Sequence, residues 1–380
     1  MSLIWLKLFI ISRFCQLVLN GIIIAKSIIK SSNKMTDYRE LTKSIQGRLN
    51  PDSEYLVERK LFSDLSDAPT DVLKYIKLAM RGVEPEYTQK SKEAGERVKD
   101  HLGSLSDVTF KYQGSVMTNT HIKGASDIDL LTICDKFYSW DSIAVDNILN
   151  TPTERVKLYS SQISKLEKEV NMSSYLGAPL EDLRKIRLDS ESILRSVYSQ
   201  FDATNGKAIK IRNLSLKRDV DIVTASWYDN VSSILNDKGD YRGIQVYDKN
   251  ENTRCPVDYP FLSIKRINER GSETNDRLKK MIRFLKNLKT NSKTNIDLSS
   301  FDINAICYDI DTVKYREQSY VELVGTLYLQ LHSICTNKSH SDKIVSVDGK
   351  EYIFRYNSNK LENLKKLFSE VSSVLSDLRQ

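Results

Sequence analysis

Two aspartates stand two residues apart in Asp127-Ile128-Asp129, and a third, Asp221, lies far downstream in Arg218-Asp219-Val220-Asp221-Ile222-Val223. The run from Ile128 to Cys134 is rich in β-formers, and residues i and i+2 of a strand face the same side. Asp127 and Asp129 therefore present their carboxylates together, with Ile128 turned into the core. Two adjacent carboxylates repel, and one would take up a proton unless a cation relieved the conflict. Mg²⁺ is the expected cation, hard and oxygen-seeking, with Mn²⁺ as an alternative. Asp221 supplies the third carboxylate from a neighbouring strand. Asp219 shares its face but sits at the strand entry, where it can pair with Arg218, and it is the rival for this position. Two ions held this way acidify an attacking hydroxyl and hold a triphosphate with its leaving pyrophosphate.

Upstream lies Gln113-Gly114-Ser115. Gly114 can take a positive φ and lets the backbone approach a ligand. Ser115 offers a hydroxyl and nearby N–H groups to a phosphate. A lone Asp-x-Asp is commonly a solvated strand edge, and Gly-Ser occurs in many turns. The ordered set of Gly-Ser, Asp-x-Asp and a later Val-Asp-Ile-Val strand is far more specific.

These residues need strands to hold them and helices to cover the strands. The spacing of Tyr87, Ala94, Val98 and Leu102 predicts a long helix ahead of a strand from Val108 to Tyr112. Strands are expected at 128–134, Ala208–Ile211 and Val220–Thr224, with helices across 153–202 broken at Gly177-Ala178-Pro179. From about Ser263 the chain reads as helical, closing with a turn at Val347–Lys350 and an amphipathic helix from Asn359 to Leu378. The fold class is α+β: a mixed sheet with helices, followed by a mainly helical lobe. The expected divisions are an apolar extension at 1–34, a catalytic lobe at 35–235 and a helical lobe at 236–380.

The net charge of +7 suits a protein that handles polyanions. The five cysteines form no CxxC pair and the four histidines are scattered, which excludes a zinc module and suggests free thiols in a reducing, cytoplasmic setting. Residues 1–34 are dense in Ile, Leu and Phe but carry Lys7, Arg13 and Lys26. Two readings of them compete, a membrane anchor and an extension ahead of a working start at Met35. The internal charges favour the second. Membrane attachment is expected only if this segment is a real anchor.

The set Gln113-Gly114-Ser115 with Ser126-Asp127-Ile128-Asp129-Leu130 and the later Asp221 resembles the bacterial cGAS/DncV-like nucleotidyltransferases (CD-NTases) of the DNA polymerase β-like superfamily. Tyr87–Leu102 resembles their spine helix, and Lys207–Ile211 the strand before the third aspartate. The resemblance spans roughly residues 85–310 and implies a bilobal polymerase β-like fold. It implies an enzyme that joins NTPs, GTP and/or ATP, into oligonucleotide second messengers for anti-phage defence. The subgroup it resembles in overall look is clade E, whose STING-associated members make cyclic di-GMP; a bacterial STING protein is then the implied effector. The resemblance also implies a second-lobe grip on the triphosphate and base, here Lys279 and Lys286 with Ser300-Phe301. Lys279 and Lys286, seven apart, read as one polar helix face, and Phe301 as a stacking platform.

Two other readings fit the same fold. One is a template-independent RNA 3′-end nucleotidyltransferase. No RNA-binding motif and no block of five or more Lys/Arg accompanies the aspartates, so no stable nucleic-acid partner is expected. The other is an inactive nucleotide-binding protein, against which the full carboxylate set argues.

Overall fold

The structure is a computed structural model that describes residues 37–47, 71–122 and 128–378. The chain begins there with two helices, α1 (Tyr38–Gly47) and α2 (Asp71–Met80), and the long α3 (Pro85–His101). Strands β1 (Val108–Gln113) and β2 (Ile128–Trp140) follow. A helical insertion comes next: α4 (Ser142–Asn150), α5 (Pro152–Arg155), α6 (Ser160–Val170) and α7 (Pro179–Val197). The sheet resumes with β3 (Phe201–Asp202), β4 (Ile209–Asn213) and β5 (Arg218–Asp229). After the short α8 (Val231–Leu235), β6 (Gly243–Asp248) and β7 (Thr253–Asp258) complete it. The rest is helical: α9 (Pro260–Glu273), α10 (Arg277–Asn291), α11 (Ser300–Tyr308), α12 (Tyr320–Thr336), α13 (Lys338–Ser341) and α14 (Ser358–Asp377).

The strand order is β1-β2-β5-β4-β3, with β6 paired to β5 and β7 to β6. Among the described strands, only β2 and β5 run parallel; the other pairs are antiparallel. β4 alternates strictly between buried and exposed positions, as a strand with one covered face must. β2 is buried on both faces from Leu130 to Cys134, so its run is continuously apolar apart from Thr132. α3 lies under both central strands, its Ala94 and Val98, with Leu102 just beyond its end, packing with Ile128, Leu130, Val220 and Ile222.

A second core is helical and brings together Met281 and Phe284 of α10, Ile306 of α11, Leu331 of α12 and Leu367 of α14. Tyr38 of α1 and Tyr75 and Met80 of α2 belong to it. The expected division at residue 235 therefore differs from the cores. β6 and β7 carry the sheet on to Asp258, and the two N-terminal helices pack with the C-terminal ones. The β6–β7 hairpin escapes a sequence reading because Pro256 interrupts its outer strand, a residue tolerated only at a sheet edge. Residues 1–34, and with them the anchor question, lie outside the described residues. Among the described residues, no helix is long and apolar enough to cross a membrane. Cys134, Cys255, Cys307 and Cys335 are unbridged.

Candidate active site

The parallel ladder sets Asp129 of β2 directly opposite Asp221 of β5. Neighbouring strands lie about 4.8 Å apart, so the two side chains rise from one face at adjacent positions. Outward on either side, Gln113 of β1 is in register with Asp129 and Lys210 of β4 with Asp221. The Lys210 ammonium stands 3.8 Å from Asp221 Oδ1. Asp219 is accounted for otherwise: both its oxygens accept from Arg212 Nη1, at 3.1 and 2.9 Å, across the β4–β5 pair. Its partner is thus Arg212 and not Arg218. Asp127 lies outside the described residues. Among those described, no group of three carboxylate, cysteine or histidine side chains forms a metal cage. Asp129 and Asp221 nonetheless fit a hard divalent ion, being an all-oxygen donor pair placed side by side.

Gly114 turns the chain at the end of β1 with φ of +88°. A Cβ there would collide with Asp129 Oδ2. The glycine is required twice, for its backbone conformation and for the carboxylate lodged against it. The loop that follows is tied back on itself, with Thr120 N–H donating to Ser115 O at 3.0 Å and the hydroxyls of Thr118 and Thr120 bonded at 2.8 Å.

Gln113, Gly114, Ser115 and Asp129 form one wall of a cleft of about 200 Å³. Asp258, Pro260, Ser263 and Ile264, from the end of β7 and the start of α9, form a second wall. Ser300, Phe301 and Asn304 of α11 form the third. The sequence-predicted Gly-Ser, Asp129 and Ser300-Phe301 thus meet in space. The walls present no Lys, Arg or His. Their apolar part (Pro260, Ile264, Ile267 and Phe301) is a slot for a flat ring, and Asp258 is a second carboxylate beside it. Asp258 is open to water but set among protein and near Asp348 and Glu351. Desolvation first, and then those like charges, raise its pKa. Asp258, Ser263 and Asn304 were not legible in the sequence, since nothing local marks them and only the fold brings them to Asp129.

Lys279 and Lys286 are placed differently from the expected open polar face. Both are buried, and neither lines the cleft. The Lys279 ammonium lies 3.5 Å from Asp276. Lys286 donates to the Thr120 carbonyl at 3.1 Å, and Arg283, one turn earlier, donates to Asn119 O at 2.6 Å and Met80 O at 2.9 Å. α10 therefore grips the loop behind Gly114-Ser115 through its backbone. Burial pushes Lys286 down to about 8 and Arg283 to about 10. Burial also lowers His121 to about 4, helped by Lys286 and Arg283.

A mixed sheet with paired aspartates, a Gly-Ser turn and a helical lobe over the cleft defines a polymerase β-like nucleotidyltransferase. The comparisons with known proteins agree. The C-terminal helical domain of the cGAS/DncV-like nucleotidyltransferases matches residues 265–376. A c-di-GMP synthase of Capnocytophaga granulosa is 52% identical over 347 residues, covering 90% of this chain and 98% of that protein. Another c-di-GMP synthase, from a Lachnospiraceae bacterium, is 45% identical over 90% of this chain and 99% of the relative. Among solved structures, a STING-associated CdnE c-di-GMP synthase from Flavobacteriaceae sp. superposes with a TM-score of 0.80 at 39% identity, over 91% of this chain and 99% of the other. The chain belongs to the cGAS/DncV-like nucleotidyltransferase family, and within it to the CdnE-like enzymes.

Proposed function

We propose that this enzyme condenses two GTP molecules into cyclic di-GMP at the cleft beside Asp129 and Asp221. The observation that carries the reading is the register of Asp129 with Asp221, opening onto a cleft closed by Ser300-Phe301. In each of two steps a ribose hydroxyl of one nucleotide attacks the α-phosphorus of the other. The α–β anhydride bond breaks, pyrophosphate leaves, and the hydroxyl proton passes to solvent or a carboxylate. The second step closes the ring.

Asp129, Asp221 and, from the sequence, Asp127 would hold Mg²⁺. When bound, it would lower the pKa of the hydroxyl and neutralise the triphosphate. The chain's own groups do the positioning. Asp221 orients the attacking hydroxyl. The N–H groups around Gly114-Ser115 face the phosphates. Phe301 stacks on a base in the apolar slot.

Guanine is favoured over adenine by Asp258. A carboxylate accepts two parallel N–H bonds from guanine N1 and N2. Adenine offers a lone pair at N1, which a carboxylate repels. Curated relatives that make c-di-GMP support the same base. The solved relative from Flavobacteriaceae sp. is a STING-associated enzyme, so the product is proposed to signal to a STING-type effector in anti-phage defence.

The test is to incubate the purified protein with Mg²⁺ and each NTP, alone and in pairs, without nucleic acid, and to identify products by mass spectrometry. Cyclic di-GMP from GTP alone is expected. Extension of an RNA 3′ end in place of any cyclic product would overturn the proposal. Asp258→Ala should narrow the preference for GTP over inosine triphosphate, which lacks the N2 amine, by about tenfold or more.

A further inference from the structure

The first turns of α3 touch the strand of Asp221 and the loop after Gly114-Ser115 through side chains that the chemistry above does not use. Arg218 begins β5, three residues before Asp221, and is buried. Its guanidinium carbon stands 3.7 Å from the centroid of the Tyr87 ring. Its Nε donates to Ser91 Oγ at 3.2 Å, one turn along the same helix. Ser91 Oγ in turn donates to Tyr87 O at 3.2 Å. His121 lies further along the loop that starts at Gly114-Ser115. Its ring stacks on Tyr87 with centroids 6.3 Å apart and planes inclined by 25°, and its Nε2 bonds Thr88 Oγ1 at 3.1 Å.

The position of this cluster gives it a task. Asp129 and Asp221 occupy the second rung of the described β2–β5 ladder, after Ile128 and Val220. The end of a ladder opens more readily than its middle. Below the strands α3 holds by apolar contact through Ala94 and Val98. At the open end it holds by Tyr87, Thr88 and Ser91. An arginine face-on to an aromatic ring is directional, and its strength grows when it is removed from water. A shift of β5 along β2 would break the stack together with the Arg218–Ser91 bond.

We infer that Tyr87 is a positioning residue, a clamp through which α3 fixes the strand carrying Asp221 against the loop after Gly114-Ser115, whose turn lodges Asp129, and so sets the spacing of the cation-binding carboxylates. Arg218 is its hand on β5 and His121 its hand on the loop. The inference rests on the carboxylates' proposed role but not on which nucleotide is used.

The test compares Tyr87→Phe with Tyr87→Leu, with Arg218→Lys as an independent variant that keeps the charge and loses the planar stack. Mn²⁺ affinity is measured by electron paramagnetic resonance on the protein alone, without nucleotide. Thermal unfolding of each variant is recorded in parallel. Tyr87→Phe should bind Mn²⁺ as the parent does. Tyr87→Leu and Arg218→Lys should each bind it about tenfold more weakly, with the same ratio in the Mg²⁺ needed for half-maximal turnover and no change in KM for GTP at saturating Mg²⁺. Parental Mn²⁺ affinity in both variants would overturn the clamp, whatever their thermal stability. If Tyr87→Leu does not fold, Arg218→Lys decides alone. Should the parent bind Mn²⁺ but make no cyclic product, the proposed function fails while the clamp still stands or falls on the binding data.

Discussion

Asp129 Oδ2 occupies the space that a side chain at residue 114 would fill. The turn after β1 and the carboxylate on β2 are therefore one unit, and Gly114 is as much a part of the proposed cation site as a ligand would be. Gly114→Ala must move the carboxylate or the turn, and with φ at +88° it also strains the backbone. Turnover should fall about a hundredfold, with a stability loss of about 1–3 kcal/mol. Product formation and urea unfolding, measured side by side, check this. Parental turnover would mean that Asp129 need not sit against the turn.

The two candidates for the third carboxylate are separated by their partners. Asp221 faces Asp129 across the parallel ladder, whereas Asp219 is held by Arg212. Asp221→Asn should reduce cyclic product by about a thousandfold or more while leaving the fold intact. The loss is that of charge stabilisation at the reacting phosphate. Asp219→Asn should stay within about threefold of the parent, since a half-exposed pair of this kind contributes under about 1 kcal/mol. Equal losses in the two variants would return Asp219 to the site.

What the sequence made legible follows from what is local in it. The Gly-Ser turn, Asp129 and Asp221 each sit in a short run whose strand character and residue types agree. The helix from Tyr87 was visible in its apolar spacing and is observed as α3. Ser300 and Phe301 line the cleft. Lys279 and Lys286 show the limit. A helical period places both on one polar face, but it does not say whether that face meets water. In the folded chain the loop at Asn119 and Thr120 packs there, and Lys286 binds a carbonyl in place of open solvent. Asp258, Ser263 and Asn304 form cleft walls only because β7, α9 and α11 converge on β1 and β2. No sequence signal carries that convergence.

Lys286→Met tests the buried ammonium. Its folded pKa of about 8 lies below the ordinary 10.5, so the unfolded chain holds this proton more tightly. Between about pH 8 and 10.5 the unfolded state binds more protons, and the parent should gain stability as pH rises there. The gain is on the order of 3 kcal/mol for this single group. Methionine removes that dependence and leaves Thr120 O without its donor. The variant should be nearly as stable as the parent at pH 7, yet turn over about tenfold more slowly because the loop behind Ser115 loses its anchor. Urea unfolding across pH 7–10.5 measures the first effect, and kcat measures the second.

His121 gives the matching prediction on the acid side. Burial first, and then the charges of Lys286 and Arg283, hold its pKa at about 4 against the ordinary 6.5. The imidazole is neutral in the folded protein at pH 7, free to accept from Thr88 or donate to it. As pH falls below about 6.5 the unfolded chain takes up the proton first. Stability should therefore drop between about pH 6.5 and 4, and the contribution lost is on the order of 3 kcal/mol. His121→Asn should flatten that part of the profile. In Lys286→Met the largest of the repelling charges is gone, so the His121 titration, followed by NMR of its Hε1 proton, should move up toward 6.5 without reaching it, because burial remains the larger cause. An unmoved midpoint would show that Lys286 and His121 do not sense one another, and that α10 and the loop behind Gly114-Ser115 are held by geometry alone.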